Sequence, residues 1–136
     1  MTLVTDIREG IAANLVAVKG LQVSAYMLSR PTPPSAHVIP AEVSYDETMR
    51  RGMDDYILTV QVFVAYVADV AAQQRLDGFL ASSGATSVKA AIESDRTLGG
   101  KVDDLRVTGA SGYQVFTLDT AQYLGVEFRI EVLATG

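Results

Sequence analysis

YILTVQVFVAYV, residues 56–67, decides the fold. Valines and aromatics at this density favour an extended chain, and the apolar pattern has a period of two. Leu58, Val60, Val62 and Val64 fall on one face, with Thr59, Gln61 and Ala65 on the other. One face is expected to be core and the other less apolar. The run is too short and too interrupted to span a bilayer. A one-sided strand needs sheet partners and a layer over its apolar face, and the flanking sequence offers both.

Upstream, Leu3, Ile7, Ile11, Leu15 and Val18 recur at helical spacing, and Lys19-Gly20 supplies a basic last turn and a glycine stop. A helix is expected over roughly residues 3–18. LQVSAYML (21–28) alternates like a strand, and the prolines of SRPTPPS (29–35) break regular structure. AHVIPAEVSY (36–45) reads as a second strand with Pro40 at an edge or bulge. DETMRRGMDD (46–55) is polar and reads as an exposed turn before the central strand.

Downstream, Asp69 can cap a second helix whose buried stripe is Ala72, Leu76, Phe79 and Leu80, and ASSGATS (81–87) ends it. A short third helix over about residues 87–95 buries Val88, Ala91 and Ile92. Three further strands are expected: KVDDLRVTG (101–109), GYQVFTL (112–118) and YLGVEFRIEVLA (123–134). The order helix, three strands, two helices, three strands predicts one α+β domain over residues 1–136. Its mostly antiparallel or mixed sheet would be packed on one face by two or three helices. A strictly alternating βαβ pattern is missing, which removes the dinucleotide-binding class.

The chain has 136 residues, 49% of them hydrophobic, enough for one ordinary core. It contains no cysteine, hence no disulfide framework, thiol nucleophile or thiolate metal site. A formal charge of −5 argues against gripping nucleic-acid phosphates, which takes clustered cations. Arginines outnumber lysines eight to three, a balance that suits planar, bidentate contacts between proteins. MTLVTDIREG lacks a basic segment followed by an apolar run, so no signal peptide is expected and the chain reads as soluble.

DRTLGGKVDDLRV (95–107) sets Gly99-Gly100-Lys101 among aspartates and arginines. A phosphate loop needs Ser or Thr after the lysine and a helix beyond it; here Val102 follows and a strand is expected. The segment therefore reads as a glycine turn delivering a strand, with Asp103, Asp104 and Arg106 on its solvent side. His37 is the single histidine and reads as a surface or strand-edge residue; the rival is a general base of a small enzyme or ligand-binding domain. Asp54-Asp55 and Asp103-Asp104 lack the alternating spacing of a calcium loop, and no GxSxG elbow accompanies the serines. No catalytic residue, cofactor-binding residue or metal ligand is assigned.

Taken as whole phrases, IREGIAANLVAVKGLQVSAYMLSRPTPPSAHVIPAEVSYD (7–46), RRGMDDYILTVQVFV (50–64) and GATSVKAAIESDRTLGGKVDDLRVTGASGY (84–113) resemble the tail terminator proteins of long-tailed phages infecting actinobacteria. The resemblance implies a small α+β virion protein at the tail–neck junction, made in the host cytoplasm, with no enzymatic activity and no cofactor. It implies a homohexameric ring that caps the tail tube, stops its polymerisation and meets a head-side connector, with DNA passing through the lumen unbound. A stopper or tail completion protein is the neighbouring alternative. Exposure and charge nominate contact residues: Asp46, Glu47, Arg50, Arg51, Asp54 and Asp55 of the expected loop, then Arg96, Gly99 and Gly100 of the glycine turn.

Overall fold

The computed structural model describes residues 4–18, 20–26, 32–44, 53–66, 69–118 and 121–135. Within them the fold is α+β: α1 (Val4–Leu15), β1 (Gln22–Ser24), β2 (Ser35–Ser44), β3 (Met53–Ala65), α2 (Val70–Phe79), α3 (Val88–Ile92), β4 (Asp104–Leu118) and β5 (Ala121–Thr135). The strands make one mixed sheet in the order β1-β2-β3-β5-β4, in which β1 runs parallel to β2 and the other pairs are antiparallel.

The central strand behaves as its alternation demands. Leu58, Val60, Val62 and Val64 are buried, and they share one core with Ile7, Ile11 and Leu15 of α1, Leu76 and Phe79 of α2, and Val88 and Ile92 of α3. Each such side chain is worth about 1.5–3 kcal/mol relative to exposure, so the sheet recruits the helices to this face through that stripe. The helices are locally specified too. Asp69 Oδ1 accepts from the Ala72 amide, and Ser87 Oγ accepts from the Ala90 amide, capping α2 and α3 as N-cap residues do.

Four expectations are corrected. Residues 101–109 and 112–118 do not form two strands: β4 is continuous, because the fifteen-residue β5 offers an unbroken partner. Its irregularity is absorbed as register shifts between Val107 and Gly109 and between Ser111 and Gln114, with Gly112 at φ +70°. Asp54 and Asp55 are not loop residues: both lie in β3, opposite Ala134 and Leu133 of β5. In the described part of the strand expected over 21–28, only Gln22–Ser24 pair, as Ala25 and Tyr26 leave the ladder; Met27 and Leu28 lie outside the described residues. His37 is buried, in the inner strand β2 and packed against Phe63 and Gln61 of β3.

Candidate functional site

With three helices on one face, the opposite face of the sheet carries no helix among the described residues, yet it is open only at one end: Arg106 and Arg129 are exposed, whereas Ser35, His37, Phe63 and Tyr123 at the other end are buried. Its side chains can be read row by row from the strand register. At one end Asp55, Leu133 and Asp104 share a row, followed by Ile57, Glu131 and Arg106. Then come Ile39, Thr59 and Arg129, then His37, Gln61, Glu127 and Ser111, and finally Ser35, Phe63 and Gly125. The face grades from charged to aromatic along the strands.

The charged end is closed by the turn that the sequence singled out. Arg96 makes a bidentate pair with Asp104, Nε to Oδ1 at 2.9 Å and the second nitrogen to Oδ2 at 3.2 Å, and Nε also donates to the Leu105 carbonyl at 3.1 Å. Asp95 organises the turn: Oδ1 accepts from the Thr97 amide and hydroxyl, and Oδ2 from the Gly99 amide at 2.9 Å. These bonds, the Thr97 hydroxyl first, hold the Asp95 carboxyl below its ordinary pKa. Leu98, Gly99 and Gly100 have φ of 51°, 70° and 92°; an added Cβ at either glycine would meet nothing within 4 Å, so backbone conformation alone selects glycine there. Leu98 is buried against Gly10 of α1, where a Cβ would approach the Leu98 Cβ to 2.9 Å. Asn14 Nδ2 donates to the carbonyls of Ile92 and Asp95, fixing the turn to the same helix.

The candidate contact residues thus separate. Asp55 and Arg96, far apart in sequence, come to the same end of the sheet through the row Asp55–Leu133–Asp104. Asp54 is buried in β3, opposite Ala134 of β5. Gly99 and Gly100 shape the turn. Asp46, Glu47, Arg50 and Arg51 lie outside the described residues.

The aromatic end holds what the sequence reading missed. His37 Nε2 lies 2.6 Å from Gln61 Oε1, and Gln61 Nε2 donates to Glu127 Oε2 at 3.1 Å. Since the Gln61 amide nitrogen serves Glu127, its oxygen accepts, and the proton of the neutral imidazole sits on Nε2. Burial lowers the His37 pKa; the Gln61 bond works against that, and the charge of Arg8 adds to it. The imidazole meets Phe63 edge-on at 5.5 Å, and Phe63 contacts Phe116 at 5.6 Å and Tyr123 at 5.4 Å. Tyr66, 57% exposed, stacks on Tyr123 at the rim. Gly125 makes this possible: a Cβ there would come within 2.5 Å of the Val62 carbonyl and 2.8 Å of the Phe63 ring. The legible signal was Phe63 itself, a large apolar residue on the face otherwise marked by Thr59 and Gln61.

Polar groups elsewhere also hold backbone. Glu93 accepts from Lys89 Nζ at 2.6 Å and from the Val107 amide at 2.9 Å, at the first β4 irregularity. Burial alone would raise its pKa, but those two bonds with the charges of Lys89 and Arg96 pull it below the ordinary value. Arg8 Nε donates to the Ala25 carbonyl, its guanidinium also reaches the Val38 carbonyl, and it lies 4.8 Å over the Tyr26 ring. Tyr113 of β4 folds its hydroxyl onto Gln73 and Asp77 of α2.

Among the described residues, no three acidic or histidine side chains converge on a point that could hold a metal ion. No described helix is long and apolar enough to cross a membrane. The grooves around Arg96 and Glu131, around Thr59 and Arg129, and between Leu80 and Val107 are open and hold about 180–230 Å³ each, below the usual range for enclosing an organic ligand. No protein-family model and no curated protein matches the chain.

Proposed function

We propose that this chain is a structural ring protein of a long-tailed phage, a tail terminator whose copies close into a hexamer on the finished tail tube. The observation that supports it is the open, charged end of the sheet face opposite the helices, where Arg106 and Arg129 are exposed beside Asp104 and Glu131 on a rigid sheet, flanked by β4, which has no strand on its outer side among the described residues. Such a surface suits docking of other proteins, where arginine side chains are favoured. The bound ring covers the rim onto which the next layer of tube protein adds, and its outer side differs from the tube end, so growth stops. The contact between copies is heterologous and closes by rotation, which avoids an open filament. A chain of net charge −5 lines a lumen through which DNA slides without being held. The head-side connector meets the face turned away from the tube.

Purified protein mixed with polymerising tube protein is expected to give capped tubes of limited length with sixfold rings at one end in electron micrographs. The pair Arg50→Glu and Arg51→Glu is expected to leave the circular dichroism spectrum unchanged while weakening capping. Tubes that elongate past the protein, with no ring bound, would overturn the proposal; unaltered capping by the arginine pair would remove that segment from the contact.

A further inference from the structure

The sheet has two edges, and they are unequal. β1 is three residues long, and Arg8 occupies the carbonyl of Ala25 just beyond its end. β4 is fifteen residues long, and no strand lies on its outer side among the described residues. In a chain that is 20% charged, residues 107–118 contain no charged residue and no proline. Free edges are ordinarily blunted by lysine, proline, bulges or a covering element. Over residues 107–118, among the described residues, β4 has only its bulges. Beyond the second one, residues 114–118 pair with 125–121 in unbroken register, leaving a regular segment, QVFTL, with Gln114, Val115 and Thr117 exposed.

Outward backbone amides and carbonyls of an extended segment are matched by another extended segment. Charge selects which. Two copies of −5 repel, and the cost of contact is smallest where neither presents a charge. Phe116 is anchored on Phe63, so the centre of the segment is held rigid. Antiparallel self-pairing about Phe116 sets Val115 opposite Thr117 of the other copy and Gln114 opposite Leu118, a β-branched pair with no like charges facing.

We propose that the free protein forms a two-fold dimer in which the β4 edges of two copies pair antiparallel through residues 114–118, joining two sheets into one. This contact is isologous and closes at two copies, unlike a ring contact, so the inference stands on the edge alone and not on the function proposed above. The contact is small, and the dimer is accordingly a concentration-dependent equilibrium.

Sedimentation velocity over a concentration series tests it: the wild-type chain is expected to shift from the 14.5 kDa monomer toward twice that mass. Val115→Lys and Thr117→Lys, both at exposed positions, are each expected to weaken association by about tenfold or more, with unchanged circular dichroism. Because the chain has no cysteine, the double variant Val115→Cys with Thr117→Cys is expected to give an oxidised, disulfide-linked dimer, while a cysteine at the exposed Val16 of α1 stays unlinked. A monomer at every concentration, a dimer indifferent to both lysines, or a double-cysteine variant that stays unlinked on oxidation would each overturn the proposal. A dimer that forms as expected but never caps tubes counts against the ring reading alone.

Discussion

At position 37 the protein buries an imidazole against Gln61, which is itself committed to Glu127. The consequence is a sign for the pH dependence of stability. A depressed folded pKa means that the unfolded chain binds the proton more readily, so His37 contributes stability that is complete above about pH 6.5 and is lost as pH falls toward the folded value. Chemical denaturation at pH 7 and pH 5 is expected to show that loss. His37→Leu is expected to flatten this part of the profile and to cost about 1–2 kcal/mol at pH 7, because the Gln61 oxygen loses its donor. As the single histidine, its imidazole resonances report the titration without assignment ambiguity; a midpoint at or above the ordinary value would refute the reading. This residue was misread from sequence for a physical reason. Its environment is built by partners 24 and 66 residues apart along the relay, and cross-strand register is not written in local alternation.

The element where sequence and structure agree most closely is the turn between α3 and β4. Gly99 and Gly100 were legible as architecture because positive φ is a local demand that residue type answers directly, whereas the bonds by which Asp95 holds the turn were not read from sequence. The buried stripes of α2 and α3 were legible for the same reason, being set by a 3.6-residue period. The continuity of β4 was not, since Gly109 and Gly112 read as a break until β5 is laid beside them. Those two kinds of glycine make a test. Gly100, at φ +92° with nothing within 4 Å of a new Cβ, is expected to lose about 1–2 kcal/mol as Gly100→Ala from backbone strain alone. Gly109, equally open but without a positive φ, is expected to change by less than about 0.5 kcal/mol as Gly109→Ala. Urea midpoints of the two variants measure the contrast; equal losses would mean that the turn does not depend on its left-handed residues.

For the whole molecule the governing quantity is the net charge of −5, carried by a fold whose pairing edge is uncharged. Association between copies then opposes a long-range repulsion with short-range contacts, and salt acts on the two unequally. Raising ionic strength from about 50 mM to about 500 mM shortens the screening length from more than 10 Å to less than 5 Å, which removes most repulsion between separated charges and leaves strand pairing and apolar contact largely intact. Self-association is therefore expected to strengthen with salt. DNA binding follows the opposite rule, because it is driven by counterion release and weakens with salt; with few and dispersed cations the chain is expected to retain no DNA even at the lower ionic strength. Sedimentation of the protein alone and an electrophoretic shift with duplex DNA, each at both salt concentrations, separate these expectations. Self-association that falls as salt rises would show that copies meet through ion pairs, and would move the contact from the uncharged edge to the charged rows around Arg106, Arg129 and Glu131.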